Sequence, residues 1–189
     1  MNRSIPENLA YHEHRMFSTQ ADLWGVQKKI SLAELITVPE MLRNDLLKCR
    51  ITYKENIENV ELEPYQLRSV KTLKIVFDDR VSYRYKYKDR TILQQLFDQR
   101  GLCDDVLIIR DGFITDTSYC NVALFDGNDW YTPDTNLLPG TQRAFLLDQK
   151  LICERRIAHK DLNRFIKVRL FNAMIKWENE IDVAVKQIF

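Results

Sequence analysis

No apolar run in the sequence approaches the ~20 residues that a helix needs to cross a bilayer. The opening residues MNRSIPENLAYHEH also lack the apolar core of a secretory leader. The expectation is therefore a cytoplasmic protein without a membrane partner. Charge of one sign is missing too: 28 Lys and Arg meet 27 Asp and Glu, a formal net charge of +1. Nothing in that balance points to a polyanion. The four cysteines (Cys49, Cys103, Cys120 and Cys153) form no CxxC pair, which suits reduced thiols better than a disulfide frame or a zinc site. His12 and His14 have only His159 for company, so no metal is expected. Internal repeats and low-complexity tracts are absent as well.

What is present is ordinary globular composition, 45% hydrophobic and 29% charged over 189 residues, enough for one domain or two small ones. The first region predicts a helix from Tyr11 to about Trp24, with Glu7 or Asn8 as its cap. Apolar residues at helical spacing from Ile30 to Leu47 predict two helices divided by Pro39, the first capped by Ser31. Lys48 to Tyr53 alternates as a strand, Asn56 to Leu62 returns beside it, and Lys71 to Phe77 adds another. Asp78-Asp79-Arg80 breaks the hydrophobic pattern and marks the expected junction between domains at 1–79 and 80–189.

The second region begins with VSYRYKYKDR, residues 81–90. Read as a strand it puts Arg84, Lys86 and Lys88 on one face and the tyrosines on the other. Aromatics interleaved with cations suit single-stranded nucleic acid, but Asp78, Asp79 and Asp89 argue against the broad basic surface this requires. No nucleic-acid partner is expected. Thr91 to Phe97 predicts a helix, and the wholly apolar Val106 to Ile109 a buried strand. Leu151 to Ile157 predicts a strand, and Asp161 the cap of a short helix running into Val168.

The densest stretch runs from Gly112 to Leu147: GFITDTSYCNVALFDGNDWYTPDTNLLPGTQRAFLL. Two short strands flank the turn Asp126-Gly127-Asn128-Asp129. Pro133 stops the second, and Leu138-Pro139-Gly140 leads into a helix beginning near Gln142. The backbone N–H groups at such a start attract phosphate. The ordered series Thr115-Asp116, Ser118 to Asn121, Thr132-Pro133 and Leu138-Pro139-Gly140-Thr141-Gln142-Arg143 resembles the signature of the fold type IV pyridoxal-phosphate (PLP) enzymes. These are the class IV aminotransferases, with branched-chain and D-amino acid aminotransferases and aminodeoxychorismate lyase among them.

The resemblance implies a mixed α/β, two-domain architecture like that of D-amino acid aminotransferase, a PLP cofactor, amino acid and oxo acid substrates, and a homodimer. It covers about residues 80–177 well and the first region thinly. It implies that Lys86, opening Lys86-Tyr87-Lys88-Asp89-Arg90, is the catalytic lysine that tethers the cofactor. A lysine has a pKa near ~10.4, so its amine needs desolvation or a cationic neighbour to react at neutral pH; Arg84, Lys88 and Arg90 stand close in sequence. Asp116 would pair with the pyridinium, where the family carries Glu. Thr141 and Gln142, in place of the family's Ile-Thr, would hold phosphate through backbone N–H groups, with Asn121 in the same pocket. His12-Glu13-His14-Arg15-Met16 fits the family's His-x-x-Arg-Leu, whose arginine binds phosphate through a guanidinium fork. Arg169 to Met174 resembles the family's last strand, making Asn172 a pocket residue or simply a satisfied amide. Arg50 is the candidate carboxylate holder, or an exposed strand arginine. Family members carry one or more strands before the Arg15 helix, so residues 1–10 imply either a reduced small domain or a start inside a longer reading frame. Amino-group transfer is the first expected activity, lyase chemistry the second, and a non-enzymatic binding module the third.

Overall fold

The computed structural model describes residues 5–42 and 45–189. They form two compact units, residues 1–67 and 68–189. The units part before strand β3 (Leu73–Phe77) and not after it, because β3 pairs in parallel with β4 (Asp105–Arg110). That pairing commits the stretch ahead of Asp78-Asp79-Arg80 to the second unit.

In the first unit, helix α1 spans Leu9–Trp24 and starts at Asn8, which makes no side-chain capping bond. It ends at Gly25, whose φ of 67° closes the helix with backbone bonds to Ala21 and Gln20. The Gln20 amide is fully buried and donates to the Lys54 and Glu55 carbonyls at 2.7 and 3.2 Å. This ties α1 to the turn between β1 (Leu47–Tyr53) and β2 (Ile57–Pro64), which pair antiparallel. The two helices expected from Ile30 to Leu47 shrink to α2 (Leu32–Leu35) and a 3-10 turn over Glu40–Leu42. Leu47 is strand instead, paired with Pro64, since cross-strand bonding outweighs a helical spacing that Pro39 interrupts. Positions 43 and 44 of that expected helix, and 1–4, lie outside the described residues.

In the second unit, β3, β4 and β5 (Phe113–Thr117) form a three-stranded sheet. A five-stranded sheet comprises β6 (Asn121–Phe125), β7 (Trp130–Pro133), β8 (Cys153–Arg155), β9 (Lys167–Phe171) and β10 (Asp182–Ala184), in the order β10-β9-β6-β7-β8. Strand alternation sorts the core. Leu107 and Ile109 pack with Val122, Leu124, Val168 and Leu170 between the sheets. On the other face of the first sheet, Val106 and Ile108 meet Leu93 and Leu96 of α3 (Thr91–Asp98). Ala123 and Phe171, on the far face of the second, meet Leu146 of α4 (Thr141–Asp148). The outer edge of β3 is covered by the chain end, where Phe189 accepts from Ile75 N at 2.6 Å and donates to the Leu73 carbonyl at 2.9 Å.

Two expectations change. Residues 81–90 form no strand; the neighbouring β3 has β4 on one side and Phe189 on the other, so that strand offers them no edge. Tyr83 turns inward, 3% exposed, and its hydroxyl donates to the Tyr87 carbonyl at 2.7 Å. The helix expected from Asp161 into Val168 is a 3-10 turn, His159–Arg164, with Ala158 at its N-cap. Val168 belongs to β9, held between β6 and β10. Among the described residues no helix is long and apolar enough to cross a membrane.

Candidate active site

Strands β5 and β6 belong to different sheets, and the chain passes between them through Ser118-Tyr119-Cys120. Thr117 N donates to the Cys120 carbonyl at 2.9 Å, and Cys120 N to the Thr117 hydroxyl at 3.0 Å. The crossing brings Asp116, at the end of β5, beside Asn121, at the start of β6. Asn121 donates through Nδ2 to Asp116 Oδ1 at 2.8 Å and to the Leu138 carbonyl at 2.9 Å. Asp116 Oδ2 accepts from Leu137 N at 2.9 Å and Leu138 N at 3.0 Å. One carboxylate thus anchors the loop that leads into α4.

Gly140 is the residue before that helix. A Cβ there would overlap Asn121 Oδ1, so only glycine lets the loop lie against the amide. Thr141 and Gln142 follow, buried, in the first turn. That is where backbone N–H groups have no carbonyl of their own helix to bond. Arg143 is also buried, donating to the Pro133 carbonyl at 2.9 Å and to Glu154 at 2.6 Å.

Burial pushes the Asp116 carboxyl up to about 6, against the opposing pull of Asn121, Leu138, Leu137 and the more distant Arg143 charge. The Cys120 thiol is pushed far above its usual range, first by burial and then by the Asp105 charge. Asn172 and the Lys86 ammonium oppose this, while Asp116 adds to it. Lys86 is exposed, yet it and Asp116 act electrostatically on the same buried sulfur. Asp105, wholly buried, is also raised by burial, against hydrogen bonding from Ser118 and Thr117.

Asp116, Asn121, Thr141 and Gln142 therefore gather around one loop and one helix start, and the Lys86 charge acts on the Cys120 thiol of that loop. Asn172 joins them as a support: its Nδ2 reaches the Tyr119 carbonyl at 3.3 Å and Cys120 Sγ at 3.2 Å, and its Oδ1 accepts from Met174 N and Ile175 N. Arg15 and Arg50 lie in the other unit. Arg15 is half-buried on α1, and its carbonyl accepts from the Thr19 hydroxyl at 2.9 Å. Arg50, exposed on β1, lies 3.5 Å from Glu63, the exposed-strand alternative. Sequence reasoning missed Cys120 and Asp105. A lone cysteine after Tyr119 and a second Asp before an apolar strand carry no local signal.

Asp116 offers a test of the implied cofactor. A carboxylate has about four lone-pair sites, and three of them accept from Asn121, Leu137 and Leu138. The site that remains, on a buried acid held up at about 6, suits a cationic N–H donor such as protonated pyridine. The residues present fit the group.

A family model described as amino-transferase class IV matches residues 84–178. A Haemophilus influenzae protein described only as uncharacterized is 38% identical over 170 residues, covering 89% of this chain and 90% of its own. The crystal structure of a candidate 4-amino-4-deoxychorismate lyase from Haemophilus somnus is 38% identical, covers 93% of each chain and superposes with a TM-score of 0.84. A PLP-bound hypothetical aminotransferase from Mycobacterium tuberculosis, 15% identical, shares the fold at a TM-score of 0.72 over 95% of this chain and 75% of its own.

Proposed function

The chain belongs to the class IV aminotransferase family, whose members are PLP-dependent enzymes, and from that premise we propose that it moves an amino group between an amino acid and a 2-oxo acid, with Lys86 as the covalent tether. The observation that carries this reading is Asp116, buried, with three donors in place and one acceptor site toward a cation. Bound PLP supplies an electron sink that acidifies the Cα–H bond of an amino acid joined to it. Asp116 would hold the pyridine nitrogen in its protonated form, since a buried carboxylate gains most from a cationic partner. Asn121 fixes that carboxylate from the side. Thr141 and Gln142 receive the phosphate on backbone N–H groups at the start of α4. Arg15 adds a guanidinium to it, a role that rests on the His12-x-x-Arg15 motif. Asn172 keeps the Tyr119–Cys120 loop in place. Lys86 Nζ would be the base that takes the proton from substrate Cα and gives it back.

The second reading is a lyase of the 4-amino-4-deoxychorismate kind, favoured by the 38% identity to the Haemophilus somnus protein. Family resemblance supports a homodimer whose sites are completed by the partner, and four unpaired cysteines support a cytoplasmic protein.

Borohydride reduction of the PLP-loaded protein, followed by peptide mapping, tests the tether. Label on the Lys86 peptide is expected, and its absence there ends the assignment. Incubation with an amino acid alone then separates the readings. Conversion to pyridoxamine phosphate marks amino transfer, whereas steady product without that conversion marks the lyase.

A further inference from the structure

Two cavities of about 290 Å³ open on the second unit, and arginines line both. What differs is the company they keep. In the first, Arg156 pairs with Asp134 and Arg164 with Asp161, each at 3.3 Å, while the Arg155 charge acts on Asp126. Acids of the fold already meet those cations.

The second cavity is lined by Arg68, Arg90, Gln94, Phe97, Ser118 and Tyr119, among others. Among the described residues, neither Arg68 nor Arg90 makes an ion pair with a carboxylate. Arg68 lies over the Phe97 ring at 5.7 Å and the Tyr119 ring at 5.6 Å. Arg90 donates to the Ser118 carbonyl at 2.8 Å and lies over Tyr83 at 6.0 Å. A guanidinium against a ring is oriented by it, while its in-plane N–H fork stays available to an anion. Two such groups, with Gln94 as a further donor and the rings as apolar wall, match an organic carboxylate with a hydrocarbon body. Ser118 and Tyr119 belong to the loop that also carries Cys120 and Asn121, and Asn121 is bonded to Asp116.

We propose that this groove binds substrate carboxylate, with Arg68 and Arg90 acting as a pair that selects acidic substrates over neutral ones. The substrate's carboxylate lies in the guanidinium forks and its carbon chain against Phe97 and Tyr119. As a statement about substrate this rests on the amino-transfer reading above. It moves the carboxylate-holding role from Arg50, which faces Glu63, to residues of the second unit.

The test uses succinate, which has no amino or oxo group to react, and its neutral diamide succinamide, titrated calorimetrically into the PLP-loaded protein. Succinate binds, and succinamide binds about ten- to a hundred-fold more weakly, as expected when charge-assisted hydrogen bonds are lost. Arg68→Gln and Arg90→Gln each weaken succinate by a similar factor and leave cofactor absorbance unchanged. The proposal is overturned if succinate does not bind, if succinamide matches it, or if neither substitution alters its affinity. Arg90→Gln also loses the bond to Ser118; should that variant not fold, Arg68→Gln at its exposed position decides the matter. If the protein takes up no PLP, the titration is run on the apoprotein. The missing PLP uptake then sinks the amino-transfer reading, while arginine-dependent succinate binding leaves the anion groove standing.

Discussion

Asn121 and Asp116 are joined side chain to side chain at 2.8 Å, across a crossing that carries the chain from one sheet to the other. Each then reaches the same loop: Asn121 bonds the Leu138 carbonyl and Asp116 the Leu138 N–H. The pair therefore sets both where the carboxylate sits and where α4 begins.

Gly140→Ala tests that arrangement through space alone, because Gly140 has φ −69° and ψ 144°, a conformation open to any residue. The new Cβ overlaps Asn121 Oδ1 and drives the amide off Asp116. The expected cost is about 1–3 kcal/mol of stability, read from urea unfolding midpoints, with weaker PLP uptake. An alanine variant as stable as the parent would refute the close approach.

Asp116 makes the apoprotein less stable as pH rises. Its folded pKa of about 6 stands above the unfolded value near ~3.9. Stability from the protonated form is therefore complete below about pH 4 and lost as pH climbs through about 6. Two pKa units correspond to about 3 kcal/mol. Denaturation series from pH 4.5 to 7.5 should show this loss in the apoprotein, a smaller one with PLP bound, and a flatter profile in Asp116→Asn. Equal slopes in parent and variant would count against it.

Arg143 and Glu154 give an order of effects opposite to what exposure suggests. The Arg143 side chain is 8% exposed and that of Glu154 54%. Removing Glu154 leaves a buried guanidinium without its carboxylate, whereas Arg143→Met leaves a glutamate that water can solvate. Glu154→Ala should cost about 1–3 kcal/mol and exceed Arg143→Met. The reverse order in thermal melts would show that the pair is held chiefly by packing.

Arg169 and Asp182 work on the acid side. Arg169, 6% exposed, donates to both Asp182 oxygens at 2.6 and 2.9 Å and lies 4.7 Å from each of the Trp130 and Trp177 rings. Burial works to raise the Asp182 carboxyl, but Arg169 and Lys167 outweigh it and hold it below its ordinary value. That stability is present above the unfolded pKa, about 4, and lost as pH falls through the lower folded one. Asp182→Asn should flatten the acid limb and cost about 2 kcal/mol at neutral pH. An unchanged acid limb would argue that the pair contributes nothing.

Much of the local structure was legible in the chain. Helix α1, helix α3, the apolar strand over Val106–Ile109 and the turn at Asp126-Gly127 follow from periodicity and turn chemistry, which depend on near neighbours. The ordered motif from Thr115 to Arg143 named the elements that bear the site. Residues 81–90 show the limit. Their alternation suits a strand, but a strand exists only if another offers its edge, and Phe189, about a hundred residues onward, covers the edge of β3. Leu47 and Val168 left their expected helices for the same reason: Pro64, β6 and β10 supplied partners.

The chemistry of the parts was thus determined by the sequence itself: one lysine, one acid, one asparagine and a glycine before a helix, in a fixed order. Only the tertiary structure decided that Asp116 is buried and carries three donors, and that, among the described residues, Arg68 and Arg90 meet no carboxylate. Burial and pairing are sums over residues distant in the chain, and no local pattern encodes them.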